Sequence, residues 1–292
     1  MTGQDMHKPG RPEKPGMGGI AMVVGFVGAV LAGLVLHSFF GFQLHLTEVL
    51  AALLTVCIVA IIGIFDDMFD MAQRTKALLP LAAAVPLVAV AVAGGHNAIA
   101  IPFVGTIDFG LAYPLLLVPL AVAVCSNLTN MLAGWNGTEA GLGLVMFATL
   151  AIVAYAHGQV EMTVLCVAMV GALLGFIPYN WYPARVFIDD VGTLSIGAAL
   201  AAAVIVSDLK SAGAILTIPF VIDFFIKAAN GFPKSFSELG ADGKLHAPKG
   251  KIRGLGDLVL RVSGGLSERN LTLALIGIEC VFAVIVLALY LK

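Results

Sequence analysis

Apolar residues fall in blocks of roughly 20 along this chain, separated by short polar or Gly/Pro-rich connections. A helix of that length crosses the hydrocarbon core of a bilayer, so the pattern predicts membrane-spanning helices. Nine are expected, near 18–40, 46–65, 77–94, 111–128, 140–157, 161–179, 191–207, 212–229 and 270–291. The least regular boundary is "PYNWYP" (178–183), where Pro and aromatic residues interrupt the run. Residues 1–17 are polar, Pro-rich and basic, and no small-residue cleavage site follows the next apolar run. They read as a loop or tail and not as a cleaved signal. Between the third and fourth spans, Ile99, Ile101 and Phe103 alternate ahead of Gly105, which predicts a small hairpin. The only long polar insert is 230–269. The expected fold is therefore an all-α polytopic membrane protein forming a single membrane-embedded domain over 1–292. Residues 1–17 and 230–269 would be its cytoplasmic loops.

Composition agrees. Of 292 residues, 60% are hydrophobic and 12% charged, with a mean hydropathy of +1.00. A soluble domain carries about 25% charged residues, so a large soluble core is excluded. The net charge of −2 says less than where the charges sit. If residues 1–17 are cytoplasmic, 14 of the 16 basic residues fall on that same side. They are Lys8, Arg11, Lys14, Arg74, Lys76, Arg185, Lys227, Lys234, Lys244, Lys249, Lys251, Arg253, Arg261 and Arg269, leaving Lys210 and Lys292 outside. The four cysteines lie in apolar runs without CxxC spacing, which argues against a disulfide framework and a zinc site.

Four polar constellations share the inner face. The first, "FDDMFDMAQRTK" (65–76), ends an apolar run with Asp66, Asp67 and Asp70, then adds Arg74 and Lys76. Charges near bilayer depth cost energy, and adjacent carboxylates need a compensating cation, for which Mg²⁺, Arg74 and Lys76 are available. On a continuing helix Asp66, Asp70 and Arg74 share a face, so an Asp70–Arg74 ion pair at a capped helix end is the plain structural reading. The second, "SNLTNMLAGWNGTEAGLG" (126–143), combines Asn127, Asn130 and Asn136 with glycines that let a ligand approach the backbone. Its plain reading is a Gly-rich helix break, with Glu139 favouring the next helix N-terminus. The third, "ARVFIDDVGTLSIGAA" (184–199), opens a span with Asp189 and Asp190. A carboxylate brought from a distant helix is what Mg²⁺ takes alongside substrate phosphates. The fourth, "GADGKLHAPKGKIRGLGDLVLR" (240–261), crowds His246, Lys249, Lys251 and Arg253 together. Such groups bind phosphate oxygens, although positive-inside topology or anionic lipid also accounts for them. Acids for a metal, bases for phosphates and amides for a nucleobase or sugar together describe phosphoryl transfer at a bilayer surface.

These segments, in order, resemble the polyprenyl-phosphate N-acetylhexosamine-1-phosphate transferase family: "PGMGG", "FDDMFDM" with "RTK", "NMLAGWNGTEAG", "FIDDVGT" and "LHAPKGKIRG". The form of "NMLAGWNGTEAG" is similar to the eukaryotic and archaeal dolichyl-phosphate branch. The resemblance implies transfer of N-acetylglucosamine-1-phosphate from UDP-N-acetylglucosamine to a polyprenyl or dolichyl phosphate. The products would be polyprenyl-diphosphate-N-acetylglucosamine and UMP, at the first step of lipid-linked glycan assembly such as N-glycosylation. It implies Mg²⁺, with Mn²⁺ as a substitute, a homodimer as the assembly, a cytoplasmic-facing site in an integral membrane protein, and no nucleic-acid partner. It implies Asp66, Asp67, Asp190 and His246 as catalytic residues. Lys76, Asn127, Asn130, Asn136, Glu139, Lys249 and Arg253 would bind substrate, and Asp190, Asn130 and Asp67 the metal. Two departures stand out. Asp189 replaces the family's usual Gly, and the chain starts inside the loop that follows the family's first span, so a start placed too late is expected in preference to nine spans sufficing. The alternatives are the same reaction with another UDP-HexNAc, or a transporter or flippase of lipid-linked cargo. A transporter predicts mid-span ionisable groups and internal repeats. Neither is expected here, the nearest being Asp223, placed to pair with Lys227 four residues on.

Overall fold

The computed structural model describes residues 1–41, 43–233, 237–250 and 252–291. Lys234, Lys251 and Lys292, named above for topology and phosphate binding, lie outside the described residues. All nine expected spans are helical. They are α1 (Gly19–Phe40), α2 (Leu46–Phe69), α3 (Gln73–Ala83) leading into α4 (Val85–Ala93), α5 (Val118–Met131), α6 (Thr138–Ala156), α7 (Val160–Asn180), α8 (Asp189–Ile205), α9 (Lys210–Leu216) with α10 (Ile218–Ala229), and α12 (Glu268–Tyr290). A short amphipathic helix, α11 (Leu255–Ser263), precedes the last.

Seven of these stretches are long and apolar enough to cross a membrane, counting α3 with α4 and the π-helical turn Tyr113–Leu117 with α5. The α9–α10 pair makes an eighth with a 52° bend. Pro219, next to the break, cannot donate to the preceding turn. The remaining expected span, α8, has 17 residues and is the hub of the bundle, packing on α1, α2, α5 and α7. Its residues from Val191 to Ala203 are all buried.

Small residues allow this. A Cβ on Gly63 of α2 would lie 2.5 Å from Val191 Cα, and one on Gly197 would lie 2.2 Å from the Cys125 carbonyl of α5. Backbones that approach this closely fix helix register where lipid supplies no hydrophobic drive between helices. The two crossings set the ends of α2 and α5 beside the start of α8.

Three two-stranded sheets decorate the bundle. The expected hairpin forms from β3 (Ala98–Ile101) and β4 (Gly105–Asp108). Residues 1–17, expected as a loop or tail, instead form β1 (Thr2–Gln4) paired with β2 (Glu13–Pro15), docked on the α7–α8 connection. In the polar insert, β5 (Glu238–Leu239) pairs with β6 (Leu245–His246).

Two expectations are corrected. Helix α2 stops at Phe69 and Asp70 takes a left-handed conformation (φ 47°), so no helix continues to Arg74. No Asp70–Arg74 ion pair exists among the described residues. The apolar runs also do hold a mid-span acid. Glu279, near the middle of α12, is fully buried, and neither carboxylate oxygen has a hydrogen-bond partner. The Asp223–Lys227 pair is formed, at 2.8 Å.

Candidate active site

The site gathers at the end of the bundle where α2 and α5 finish and α8 begins. Lys76, on the first turns of α3, is buried and donates to Asp66 Oδ2 (2.6 Å) and Asp190 Oδ2 (2.5 Å). Asn130, at the end of α5, donates from Nδ2 to Asp190 Oδ1 and to Thr193 Oγ1 (2.8 Å). Asp66 Oδ1 accepts the Met71 N–H (2.9 Å), which holds the turn after α2. Two carboxylates from different helices thus meet at one ammonium, with an amide alongside.

Asp67 is turned elsewhere. Its two oxygens accept the backbone N–H groups of Asp190 (2.9 Å) and Val191 (3.0 Å), so it caps α8 from α2. Asp189 faces away from the cluster as well. Its Oδ2 accepts the Met17 N–H (2.6 Å), anchoring the N-terminal hairpin, and its φ of 49° stands in the region that favours glycine.

A cavity of about 300 Å³ opens beside the acids, lined by Asn130, Asn136, Glu139, Asp189, Asp190 and residues of the hairpin, among them Asp5 and His7. Glu139 accepts the Gly134 N–H (2.7 Å), shaping the loop between α5 and α6. Asn136 donates from Nδ2 to Asp5 (3.1 Å) and from its backbone to Glu268 (2.8 Å). Glu268 also takes Lys8 as a close ion-pair partner and lies 3.8 Å from His7. Trp135 stacks on His7, and both its Nε1 and the His7 ring meet the Ser237 hydroxyl (3.0 and 3.1 Å). Gly256 is required here, because a Cβ would sit 2.1 Å from the Trp135 ring. Met6 lines both this cavity and a second of about 620 Å³, where Lys8, Arg11 and Arg253 supply positive charge.

The structure therefore brings Asp66, Lys76, Asn130 and Asp190 into direct contact, with Asp67 behind them, Asn136 and Glu139 along the cavity wall and Arg253 in the adjoining cavity. It leaves three expected residues apart. Asn127 spends its amide on the Ala123 and Ala77 carbonyls (2.7 and 3.3 Å), joining α5 to α3. His246 pairs with Asp242 at 3.1 Å, which holds the Asp242 carboxyl below its ordinary range. Lys249 is exposed. Arg253 gives its backbone N–H to Asp257, whose carboxyl burial nonetheless pushes up. Sequence reasoning missed Asp5, His7, Lys8 and Glu268. The run "DMHKPGRPEKPG" carried a signal, since its two Pro-Gly pairs mark turns around charged groups.

The donor set fits a hard divalent cation, because oxygens of Asp66 and Asp190 lie within 2.6 Å of the same positive nitrogen and Asn130 Oδ1 is uncommitted among the described residues. Fold and site define an integral membrane enzyme with an acidic centre at one end of its helical bundle. The chain belongs to glycosyl transferase family 4, whose profile matches residues 49–208. That stretch holds Asp66, Lys76, Asn130 and Asp190. A protein of Saccharolobus solfataricus provisionally named UDP-N-acetylglucosamine–dolichyl-phosphate N-acetylglucosaminephosphotransferase is 35% identical, over 99% of this chain and 88% of its own length. The Dictyostelium discoideum protein of the same name is 27% identical, over 94% and 78%. A phospho-N-acetylmuramoyl-pentapeptide-transferase of Limosilactobacillus fermentum is 33% identical, over 72% and 65%.

Proposed function

We propose that this protein transfers N-acetylglucosamine-1-phosphate from UDP-N-acetylglucosamine to a dolichyl-type polyprenyl phosphate, with Mg²⁺, at the cytoplasmic face of the membrane. The observation that carries the reading is the meeting of Asp66, Lys76, Asn130 and Asp190 beside a polar cavity at one end of a helical bundle. The names of the archaeal and Dictyostelium relatives support the donor and acceptor.

Asp190, Asp66 and Asn130 are the residues to hold the metal, which when bound neutralises charge on the donor diphosphate. Lys76, which pairs with both Asp66 and Asp190, would place its positive charge beside an acceptor or donor phosphate at this site. Lys8, Arg11 and Arg253 give the diphosphate further compensation in the adjoining cavity. Asn136, Asp5 and the Trp135–His7 stack offer amide, carboxylate and aromatic surfaces suited to a uridine.

An oxygen of the acceptor phosphate attacks the β-phosphorus. A new P–O bond forms, the bond to the bridging oxygen of the α-phosphate breaks, and UMP leaves with that oxygen. A phosphate monoester is already largely ionised near neutral pH, so no strong base is required. Catalysis rests on alignment and on charge placed before the reaction.

The test is to incubate purified protein with Mg²⁺, polyprenyl phosphate and a panel of UDP-sugars, and to measure UMP and the mass of the lipid product. UMP release that needs both substrates, with a gain of one HexNAc-phosphate on the lipid, is the expected result. UMP release without lipid acceptor, or none from any UDP-HexNAc, overturns it.

A further inference from the structure

The opposite end of the bundle carries a second polar cluster that phosphoryl transfer does not use. His45 and Glu48 open α2, Glu161 opens α7, and His96 follows α4. Ligand atoms of His45, Glu48 and Glu161 all lie within 4.8 Å of one another, and His96 Nε2 stands 4.0 Å from Glu48 Oε1. From Glu48 to Asp66 is 18 residues of one helix, about 27 Å, so this cluster is remote from the acidic centre.

We propose that His45, Glu48, Glu161 and His96 form a binding site for a zinc-class transition-metal ion. Two imidazoles with two carboxylates make a mixed nitrogen and oxygen set that suits Zn²⁺ and its neighbours better than Mg²⁺, which prefers oxygen and water. Donors around a tetrahedral zinc stand about 3.3 Å apart, so His45, Glu48 and Glu161 need only modest contraction, and His96, outside that close group, would join as the fourth ligand by moving in from its place beside Glu48. The carboxylates are held for the task. Glu161 is 12% exposed at its side chain, Glu48 18%, and Glu161 Oε1 accepts both the His45 backbone N–H (2.8 Å) and its Nδ1 (2.7 Å). That backbone bond orients the carboxylate as supporting contacts do in metal centres. A metal would exchange the His45 ring contact for a coordinate bond and keep the backbone one. Asp208, from the α8–α9 connection, and its partner Lys210 (4.0 Å), which opens α9, add no third imidazole. None of the four cysteines takes part. The ion would tie α2, α7 and the turn before β3, three elements that the chain connects only through long segments.

The experiment uses the whole protein, free of tags and stripped with chelator in detergent, titrated with Co²⁺ while its visible absorption is recorded. One equivalent with nitrogen-ligand bands is expected, displaced by Zn²⁺ and not by excess Mg²⁺. H45Q and E161Q should each weaken it by more than about tenfold. H96Q should weaken it while the protein elutes as wild type, and D190N should leave it intact whether or not the protein turns over UDP-sugar. A wild-type protein with no Zn²⁺-displaceable Co²⁺ overturns the proposal, as do H45Q and E161Q titrating like wild type.

Discussion

Asp190 gives both carboxylate oxygens to the centre, one to Asn130 and one to Lys76. Asp190→Ala should abolish UMP release while the protein still elutes as a single species. Asp66→Asn should lower turnover by orders of magnitude, and Asp70→Asn should retain most of it, because Asp70 is exposed at the end of α2. Near-equal losses at all three would break this division. Asp67→Ala removes the acceptor for two N–H groups of α8 and should cost about 0.5–2 kcal/mol in a detergent melt, the scale of a lost helix cap. That the acids matter was legible in the sequence, since carboxylates ending apolar runs need a reason to be there. How they share the work was not. Successive residues on a helix point about 100° apart, so Asp66 and Asp67 meet different neighbours, and only the position of α8 says which. Asp70 was misjudged because nothing in "DDMFDMAQ" marks the left-handed residue that ends α2.

The helices were readable because a hydropathy window averages over 20 residues, although seven or eight of the nine expected spans, and not α8, are long and apolar enough to cross a membrane. That averaging also hid Glu279, one acid in an apolar stretch. The crossing of α2 and α8 rests on Gly63, where Gly63→Val would press a side chain into the Val191 backbone. Overpacking of that kind costs about 1–3 kcal/mol, and here it should also separate Asp66 from Asp190. A lowered melting temperature with lost turnover is the expected pair of results. The N-terminal hairpin was illegible for a different reason. Its anchor, Lys8 on Glu268, joins residues 260 apart in the chain, and no local pattern encodes such a pairing. Glu268→Ala should free the hairpin, read as faster cleavage after Glu13 by a glutamate-specific protease. Unchanged cleavage would mean that Asp189 and the β1–β2 pairing hold it alone.

Across the whole molecule, charged clusters gather at two ends, Asp66, Lys76 and Asp190 at one and His45, Glu48 and Glu161 at the other, with apolar helices between. Lys76 decides how such a bundle survives before substrate arrives. It places its own ammonium between Asp66 and Asp190, so the carboxylates have a counter-ion from the moment the helices assemble. Chelator should therefore stop turnover without shifting the melting temperature attributable to this end. Lys76→Met should make the fold itself depend on divalent cation, since it leaves the buried Asp66 and the partly buried Asp190 without their shared counter-ion. On the proposed reaction Lys76 is a built-in placeholder, a cation already in position when the helices pack and before any divalent ion would bind.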